Sequence, residues 1–429
     1  MMKKLFCCLL ACCSALLCAA QADTLSSQTR HLTGNVSMWA RGEYRDGALP
    51  AKNGVDYAVF LMGNTVLSLD YTSPWLDVRV APKYFGVWGA SANGTLGIDE
   101  AWFSLKGKKG FFARLGRQKL SYDDQRIIGA DDWAMAPRTH DVLKTGFENG
   151  RHKLHLLVAF NQNNENLNGG TFYEDGGQPY KLMQTLWYHY DPVSWLGASL
   201  IGMNMGMQNL GAGEENVYQQ LFGAFLDFHP KRFSLQASYY RQTGHNEYNL
   251  PIYAWMMSAE SAWQPSPKFK LNAGYFYMSG DPYYFVPEEG AIGMARKEEV
   301  RGFNPIFGSH HKFYGAMDFF YVTTYYGGNS PGLQDLHLGV KWSPVAKLDL
   351  DAAYHYLATC VEVKDVSRTL GHELELSLTC KIAPDVKLLA GYSYMGGTDT
   401  MVRLKRTSEQ NHLSWAWLMF MVTPEFFRL

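Results

Sequence analysis

Residues 335–358, "DLHLGVKWSPVAKLDLDAAYHYLA", alternate in character on both sides of a short interruption. Leu336, Leu338, Val340 and Trp342 fall on one side of the first half, with Asp335, His337 and Lys341 on the other. In the second half Leu348, Leu350, Ala352, Tyr354 and Tyr356 alternate with Lys347, Asp349, Asp351 and His355. Successive side chains of an extended chain point to opposite faces, so each half reads as a strand with one apolar and one polar face. "SPVA" between them reads as a tight turn, and the whole as an antiparallel hairpin. "HELELSL" (372–378) and "RFSLQASY" (232–239) repeat the pattern.

Alternation alone also suits a soluble sandwich; the turns separate the two. "SPW", "GKKG", "ENGR", "DPVS", "HPKR", "QPSPK", "SPVAK" and "APDVK" are short polar turns near residues 73, 108, 149, 192, 229, 265, 344 and 384. Between them lie pairs of strand-like segments joined by longer loops. Eighteen segments emerge, from 31–45 to 411–423, and every tight turn falls at the same end. An even count, tight turns at one end and long loops at the other predict a closed antiparallel transmembrane β-barrel of about 18 strands. The turns are then periplasmic, and the loops 122–137, 164–179, 281–332 and 397–410 extracellular. Closure also removes the exposed edges that a large open sheet would carry. Trp75, Trp102, Trp187, Tyr188, Tyr190, Trp263, Trp342, Trp415 and Trp417 lie near strand ends and suit aromatic girdles at the membrane interfaces.

The first residues agree with that compartment. Lys3 and Lys4 precede the apolar run "LFCCLLACCSALLCAA" (5–20), and "AQA" (20–22) supplies the small residues of a cleavage site. Residues 1–22 are therefore expected to be a signal peptide, with 23–429 as a single barrel domain exported to the outer membrane of a Gram-negative cell. Five of the seven cysteines fall in the leader, leaving Cys360 and Cys380. These sit at opposite ends of a hairpin, roughly 30 Å apart at about 3.3 Å per residue, beyond disulfide reach. A formal net charge of −1 gives no basic surface for nucleic acid. The expected partner is instead outer-membrane lipid around a monomeric barrel.

Catalytic and cofactor signatures are missing: the chain has no GxSxG, HExxH, P-loop or dinucleotide-binding glycine pattern, so neither an enzyme nor a cofactor is expected. His310 and His311, with Asp318 nearby, are adjacent on an extended segment and should point opposite ways, against a shared metal site. His155, His337, His355 and His372 fall mainly on the polar register or at a strand start. That argues against a lipid-facing Ser-His catalytic pair.

One stretch concentrates charge: "LGRQKLSYDDQRIIGADDWAMAPRTHDVLKT" (115–145). Its residues resemble the "GRQ…YgDqRliG…W…R.fDgvr" signature of the alginate-export family of outer-membrane proteins. "GFNPIFGSHHKFYGAMDFFYV" (302–322) and "LGHELELSL" (370–378) look like further stretches of members from Bacteroidetes-type bacteria, and the resemblance covers most of the mature chain. It implies an 18-stranded monomeric barrel with a charged, arginine-rich constriction through which an anionic polyuronate passes. Arg117, Asp124, Arg126, Arg138 and Asp141 match charged positions of the signature, and Lys144 falls where the family has a basic residue. Two departures stand out. Asp123 replaces the usual glycine, and the C-terminal aromatic is displaced to Phe427 by the ending "TPEFFRL".

A lipid-facing strand pays about 2–4 kcal/mol for each Arg or Lys at the bilayer midplane, so these charges are expected in the lumen. There they can narrow the pore and select solute charge, or merely brace the mouth. Asp349, Asp351, Glu373 and Glu375 lie on the polar register about ten strands away, which predicts acidic pore residues facing the basic wall. The reading that follows is a passive channel for hydrophilic, anionic saccharides or carboxylates. The alternative is a nutrient-uptake porin, or a plugged barrel acting as a receptor or adhesin.

Overall fold

The computed structural model describes residues 30–429 apart from 48–55, 91–93, 163, 166, 168–177, 179, 211–214, 282–297, 321–329, 364 and 406–410. The expected signal peptide (1–22) and parts of the loops 164–179, 281–332 and 397–410 lie outside the described residues.

The alternating segments all become strands: β1 (His31–Asp46), β2 (Ala58–Thr72), β3 (Leu76–Val87), β4 (Thr95–Lys106), β5 (Phe111–Gln118), β6 (His140–Asn149), β7 (His152–Phe160), β8 (Leu182–Val193) and β9 (Leu196–Gln208). They continue as β10 (Asn216–Phe228), β11 (Phe233–Gly244), β12 (Ala254–Ser266), β13 (Phe269–Met278), β14 (Leu333–Val345), β15 (Leu348–Ala358), β16 (Thr369–Ala383), β17 (Val386–Gly397), β18 (His412–Val422) and β19 (Glu425–Arg428). One α-helix, α1 (Asp399–Lys405), and two 3-10 turns (Lys108–Gly110 and His310–Lys312) are described, and no described helix is long and apolar enough to cross a membrane.

Each strand pairs antiparallel with its sequence neighbour, and β1 pairs with both β2 and β18, which closes the ring. The last stave comes in two pieces. Pro424 has no N–H to continue the ladder, but its carbonyl accepts the Val36 N–H at 3.1 Å, and β19 resumes pairing at Thr33–Asn35. The displaced aromatic Phe427 is paired in register with Gly34 and lies over it. The result is a closed antiparallel barrel of 18 staves, as the alternation predicted. At one end the staves join through residues 73–75, 107–110, 150–151, 194–195, 229–232, 267–268, 346–347 and 384–385; at the other, connections reach the length of 119–139 and 279–332.

The pleat sorts the side chains. Leu336, Leu338, Trp342, Tyr354, Leu374, Leu376, Leu418 and Phe420 are exposed on the outer face, although apolar, as a lipid-facing wall requires. Trp75, Trp263 and Trp342 are exposed near the short-turn end, with Tyr188 and Tyr190, as expected of a girdle. Trp102, Trp187, Trp415 and Trp417 are not girdle residues. Trp187 and Trp415 are buried, Trp102 stacks under Arg114, and Trp417 packs on Trp133 from an inward-folded loop. These four occupy the inward register of their strands, which nearness to a strand end does not reveal. His372, at the start of its alternating segment and in register with Leu374, lies on the outer face, where its Nδ1 bonds the Tyr354 hydroxyl.

Closure at the β1–β18 seam is reinforced by a buried charge. The Glu43 carboxylate forms an ion pair with Arg41, whose Nε lies 2.8 Å away, and accepts hydrogen bonds from Arg45 at 2.7 Å and from Trp415 Nε1 of β18 at 2.9 Å. Removing one partner of such a cluster leaves uncompensated buried charge, a loss of about 3–5 kcal/mol. Glu43→Ala should therefore lower the temperature at which the barrel loses its compact mobility in SDS gels. Glu425→Ala, which removes only the exposed pair with Arg428, should leave that temperature unchanged.

Candidate functional site: an interlocked constriction

The segment 119–139 leaves the wall after β5, folds into the lumen and returns at β6. Its tip is built by local chemistry. A turn closes with Gln125 N–H on the Tyr122 carbonyl at 2.9 Å, and Asp123 and Gln125 both adopt positive φ (51° and 72°). Asp is among the few non-glycine residues that tolerate this region. Asp123 thus holds a conformation that glycine adopts freely, and its carboxylate accepts the Trp187 indole N–H at 3.1 Å. Asp124 then receives the Arg126 backbone N–H at 3.1 Å and Arg126 Nε at 3.0 Å, which turns the arginine away from solvent.

Arg126 is 1 % exposed. Its Nη2 reaches across to Glu260 of β12 at 2.5 Å, and its guanidinium lies 4.0 Å from the Phe313 ring centre and 5.1 Å from that of Phe276. Burial works against its charge, but Tyr314, Asp124 and Glu260 around it more than offset this, and its pKa lies above the ordinary value. The arginine is a tie across the lumen and carries no free positive charge.

A second segment, 300–320, enters from the connection between β13 and β14 and zips onto the first. Gly129 N–H donates to the Phe307 carbonyl at 2.8 Å, Phe307 N–H to Ile127 at 3.0 Å, and Ser309 N–H to Gln125 at 2.9 Å. Arg138 Nη1 donates to the Gly308 carbonyl at 3.1 Å, and Lys312 Nζ to the Asp124 carbonyl at 3.2 Å. Both segments are then fastened to the wall. Gln242 of β11 grips Asn304 through both amide atoms, at 2.6 and 3.1 Å. Glu373 and Glu375 of β16 accept the backbone N–H groups of Met317 (2.8 Å) and Ala316 (2.6 Å). Asn64 and Arg41 donate to the Met135 and Trp133 carbonyls at 2.9 and 3.2 Å.

His310 and His311 part company, but on a single 3-10 turn (His310–Lys312) and not on the extended segment expected of them. His311 stacks on Trp133 at 4.4 Å and bonds Asp318 at 2.8 Å, whereas His310 is buried and its pKa is pushed down to about 3 by that burial. Buried Ile128, Phe307, Tyr314 and Met317 form an apolar core inside the barrel. A charge-dense sequence therefore encodes a packed interior crossbeam.

The ten charges singled out in the sequence divide into three groups. Asp124, Arg126 and Arg138 belong to the inward-folded segment. Lys144, Asp349, Asp351, Glu373 and Glu375 occupy the inward register of the wall. Asp349 and Asp351 face Lys341 at 3.5 and 3.7 Å, with Lys381 also 3.6 Å from Asp349, so the acidic side is largely paired locally. Arg117 and Asp141 are the correction. They share the outward register of Leu115 and Leu143, not the lumen, and their side chains are 41 % and 43 % exposed. Their two parallel hydrogen bonds, at 2.9 and 2.8 Å, join neighbouring strands beside the 119–139 connection. A bidentate pair near the rim avoids the cost that each charge alone would meet at the midplane.

Arg114 was not singled out. It stands directly opposite Lys144 in the β5–β6 register, 3.7 Å above the Trp102 ring, while Lys144 lies over Phe112 and Tyr122. Neither makes an ion pair among the described residues. The alternation "FFARLGRQ" put Arg114 on the opposite face from Arg117 and could have revealed it.

Asp123 generates a pH-dependent expectation. Burial raises its pKa above the ordinary 3.8, against the hydrogen bonds from Ser199 and Trp187. An acid whose folded pKa is raised destabilises the fold as it ionises, so the penalty is present above the folded pKa and fades as pH falls through the ordinary value. Asp123→Asn keeps the acceptor for Trp187 and tolerates positive φ. It should raise the unfolding temperature by a few degrees near pH 8, and by progressively less towards acid pH, in detergent melts monitored by intrinsic tryptophan fluorescence.

No functionally curated protein matches the sequence. Among solved structures, Pseudomonas aeruginosa OccK2 (OpdF) superposes with a TM-score of 0.62 at 12 % identity, over 92 % of this chain and 98 % of that one. Pseudomonas aeruginosa OpdL gives 0.61 at 11 %, over 92 % and 99 %, and Acinetobacter baumannii OccAB2 gives 0.59 at 14 %, over 92 % and 98 %. At such identities the likeness is one of fold. The model of the alginate-export family matches residues 91–358, a span that contains both inward-folded segments and stops short of the third resembling stretch at 370–378. With its closed barrel, outward apolar wall and interlocked lumen, this chain belongs to the alginate-export family of outer-membrane proteins.

Proposed function

We propose that the protein is a passive channel for anionic saccharides or small carboxylates, with 119–139 and 300–320 as its constriction and its short turns on the periplasmic side. That it is an outer-membrane channel follows from family and fold; the solute class is inferred from one feature of the wall. Arg114 and Lys144 are like charges in directly opposed positions, which destabilises a strand pair unless something compensates. Among the described residues no carboxylate pairs with either, and aromatic faces of Trp102, Phe112 and Tyr122 lie beneath them. Cations over aromatic rings beside a polar wall suit a carboxylated sugar: the anionic group meets the cations and the apolar ring face meets the aromatics. The barrel acts as a monomer in this reading, and direction of flow is set by the solute gradient, since a pore alone conducts both ways.

The extent of the interior core favours a second reading, a largely plugged barrel that binds a ligand at its mouth. Single-channel recording in planar bilayers separates the two. The channel reading requires open-state current that is reduced by added oligouronate. Arg114→Gln with Lys144→Gln should shift the reversal potential in a salt gradient towards cation preference, more strongly at low salt. It should also weaken oligouronate block about tenfold, the loss of roughly 1.4 kcal/mol of binding. Deleting residues 124–134 should raise conductance severalfold. A folded wild-type barrel that passes no current would establish the plugged reading.

A further inference from the structure

Beyond the constriction, the wall carries a cluster that the channel reading does not use. Asp335 and His337 are two residues apart on β14 and so share its inward face, and His355 of β15 is the direct register partner of His337. Their ligand atoms lie within 4.8 Å of one another. Asp335 is 1 % exposed and His355 8 %. The two imidazole rings are stacked 5.0 Å apart.

The orientation of the rings is informative. His355 Nδ1 lies 2.9 Å from the Asp335 carboxylate, and His337 Nδ1 lies 3.3 Å from it without completing a hydrogen bond, although that nitrogen is buried. Each Nε2 faces a different carboxylate: Glu260 for His337 at 2.7 Å, Glu375 for His355 at 3.3 Å. Neutral imidazole has one N–H. If each ring donates it from Nε2 to its glutamate, both Nδ1 lone pairs converge on the Asp335 carboxylate. A metal-bound histidine is oriented in the same way, its outer N–H held by a carboxylate that fixes the tautomer.

The fold goes out of its way to allow the contact between Glu260 and His337, which lie two strands apart. Gly274 of β13 stands in register between them, and any Cβ there would collide with both side chains. The buried His337 Nδ1 atom has no hydrogen-bond partner among the described residues, and a single divalent ion between the two rings and the Asp335 carboxylate would bind it.

We propose that Asp335, His337 and His355 form a binding site for a divalent transition-metal ion of the zinc type, with Glu260 and Glu375 as its outer partners. Two imidazoles and one carboxylate are the donor set such ions prefer, and three protein ligands leave a fourth position for water or a solute carboxylate. Glu260 also holds Arg126 through its other oxygen, so the ion sits one side chain away from the tie that anchors the constriction. The site is independent of which solute permeates.

The test uses the folded full-length barrel in detergent, stripped with chelator and titrated with cobalt(II). One ion per chain with the strong visible absorption of four-coordinate cobalt, bleached by added zinc, is expected. His337→Gln and His355→Gln should abolish that spectrum while retaining heat-modifiable mobility, and Glu375→Gln should weaken binding about 10–100-fold. His311→Gln should change nothing. Should the histidine variants not fold, the wild-type protein decides: zinc must shield His337 and His355, but not His152, from acylation by diethyl pyrocarbonate. The proposal is overturned by wild-type protein that shows only the weak six-coordinate spectrum, by folded histidine variants that bind as wild type does, or by equal acylation with and without zinc.

Discussion

In a hydrocarbon layer no water is available to satisfy a backbone N–H or C=O, and that single constraint organises the molecule. It forces the strands to pair on both sides, which an open sheet cannot do, and it explains the divided last stave. β18 covers the upper half of β1, Pro424 interrupts the ladder, and β19 recovers the lower half so that β1 is not left bare. It also explains where polar side chains can go. Once the backbone is satisfied by closure, the lumen becomes the one place where charges can be stacked several deep.

The lumen does not use that freedom to stay open and charged. Most of its charges are consumed in holding the two inward-folded segments to each other and to the wall. Arg126 illustrates the balance: a fully buried guanidinium is expensive, and it is held by the local Asp124 carboxylate, by Glu260 of β12, and by the adjacent rings of Phe313 and Tyr314 on the second inward-folded segment. Glu373 and Glu375 play the complementary part, accepting backbone N–H groups that would otherwise be buried without partners in a segment with little regular structure. Arg114 and Lys144 stand apart from this construction, over aromatic rings and without an ion pair among the described residues. The wall of β12 to β16 adds a carboxylate–histidine network sharing Glu260 with Arg126, so constriction and wall form one connected polar system.

How far the primary structure reveals this differs by level. Strand identity was legible almost to the residue, because a barrel stave obeys a period-two rule that depends only on its own residues. Which segment would fold inward was legible through Asp124 and Arg126, whose charges could not face lipid. Arg117 and Asp141 escape this rule, because their charges are not isolated. A bidentate pair across two neighbouring strands can stand on the outer face, and pairing is a property of register. Register also hid Arg114, whose position opposite Lys144 appears only when β5 and β6 are aligned, and the convergence of Asp335, His337 and His355, whose spacing within the chain spells no known ligand motif.

Sequence alone thus determined the fold class, the stave count and the alternation of faces, since each follows from local periodicity and from the cost of unpaired backbone. Tertiary structure alone decided which charges neutralise one another, because that depends on residues far apart in the chain. Arg126 meets Glu260 across 134 positions, and Trp415 meets Glu43 across 372. Local patterning sets which face a side chain takes; only closure of the ring and insertion of the two segments set what it finds there.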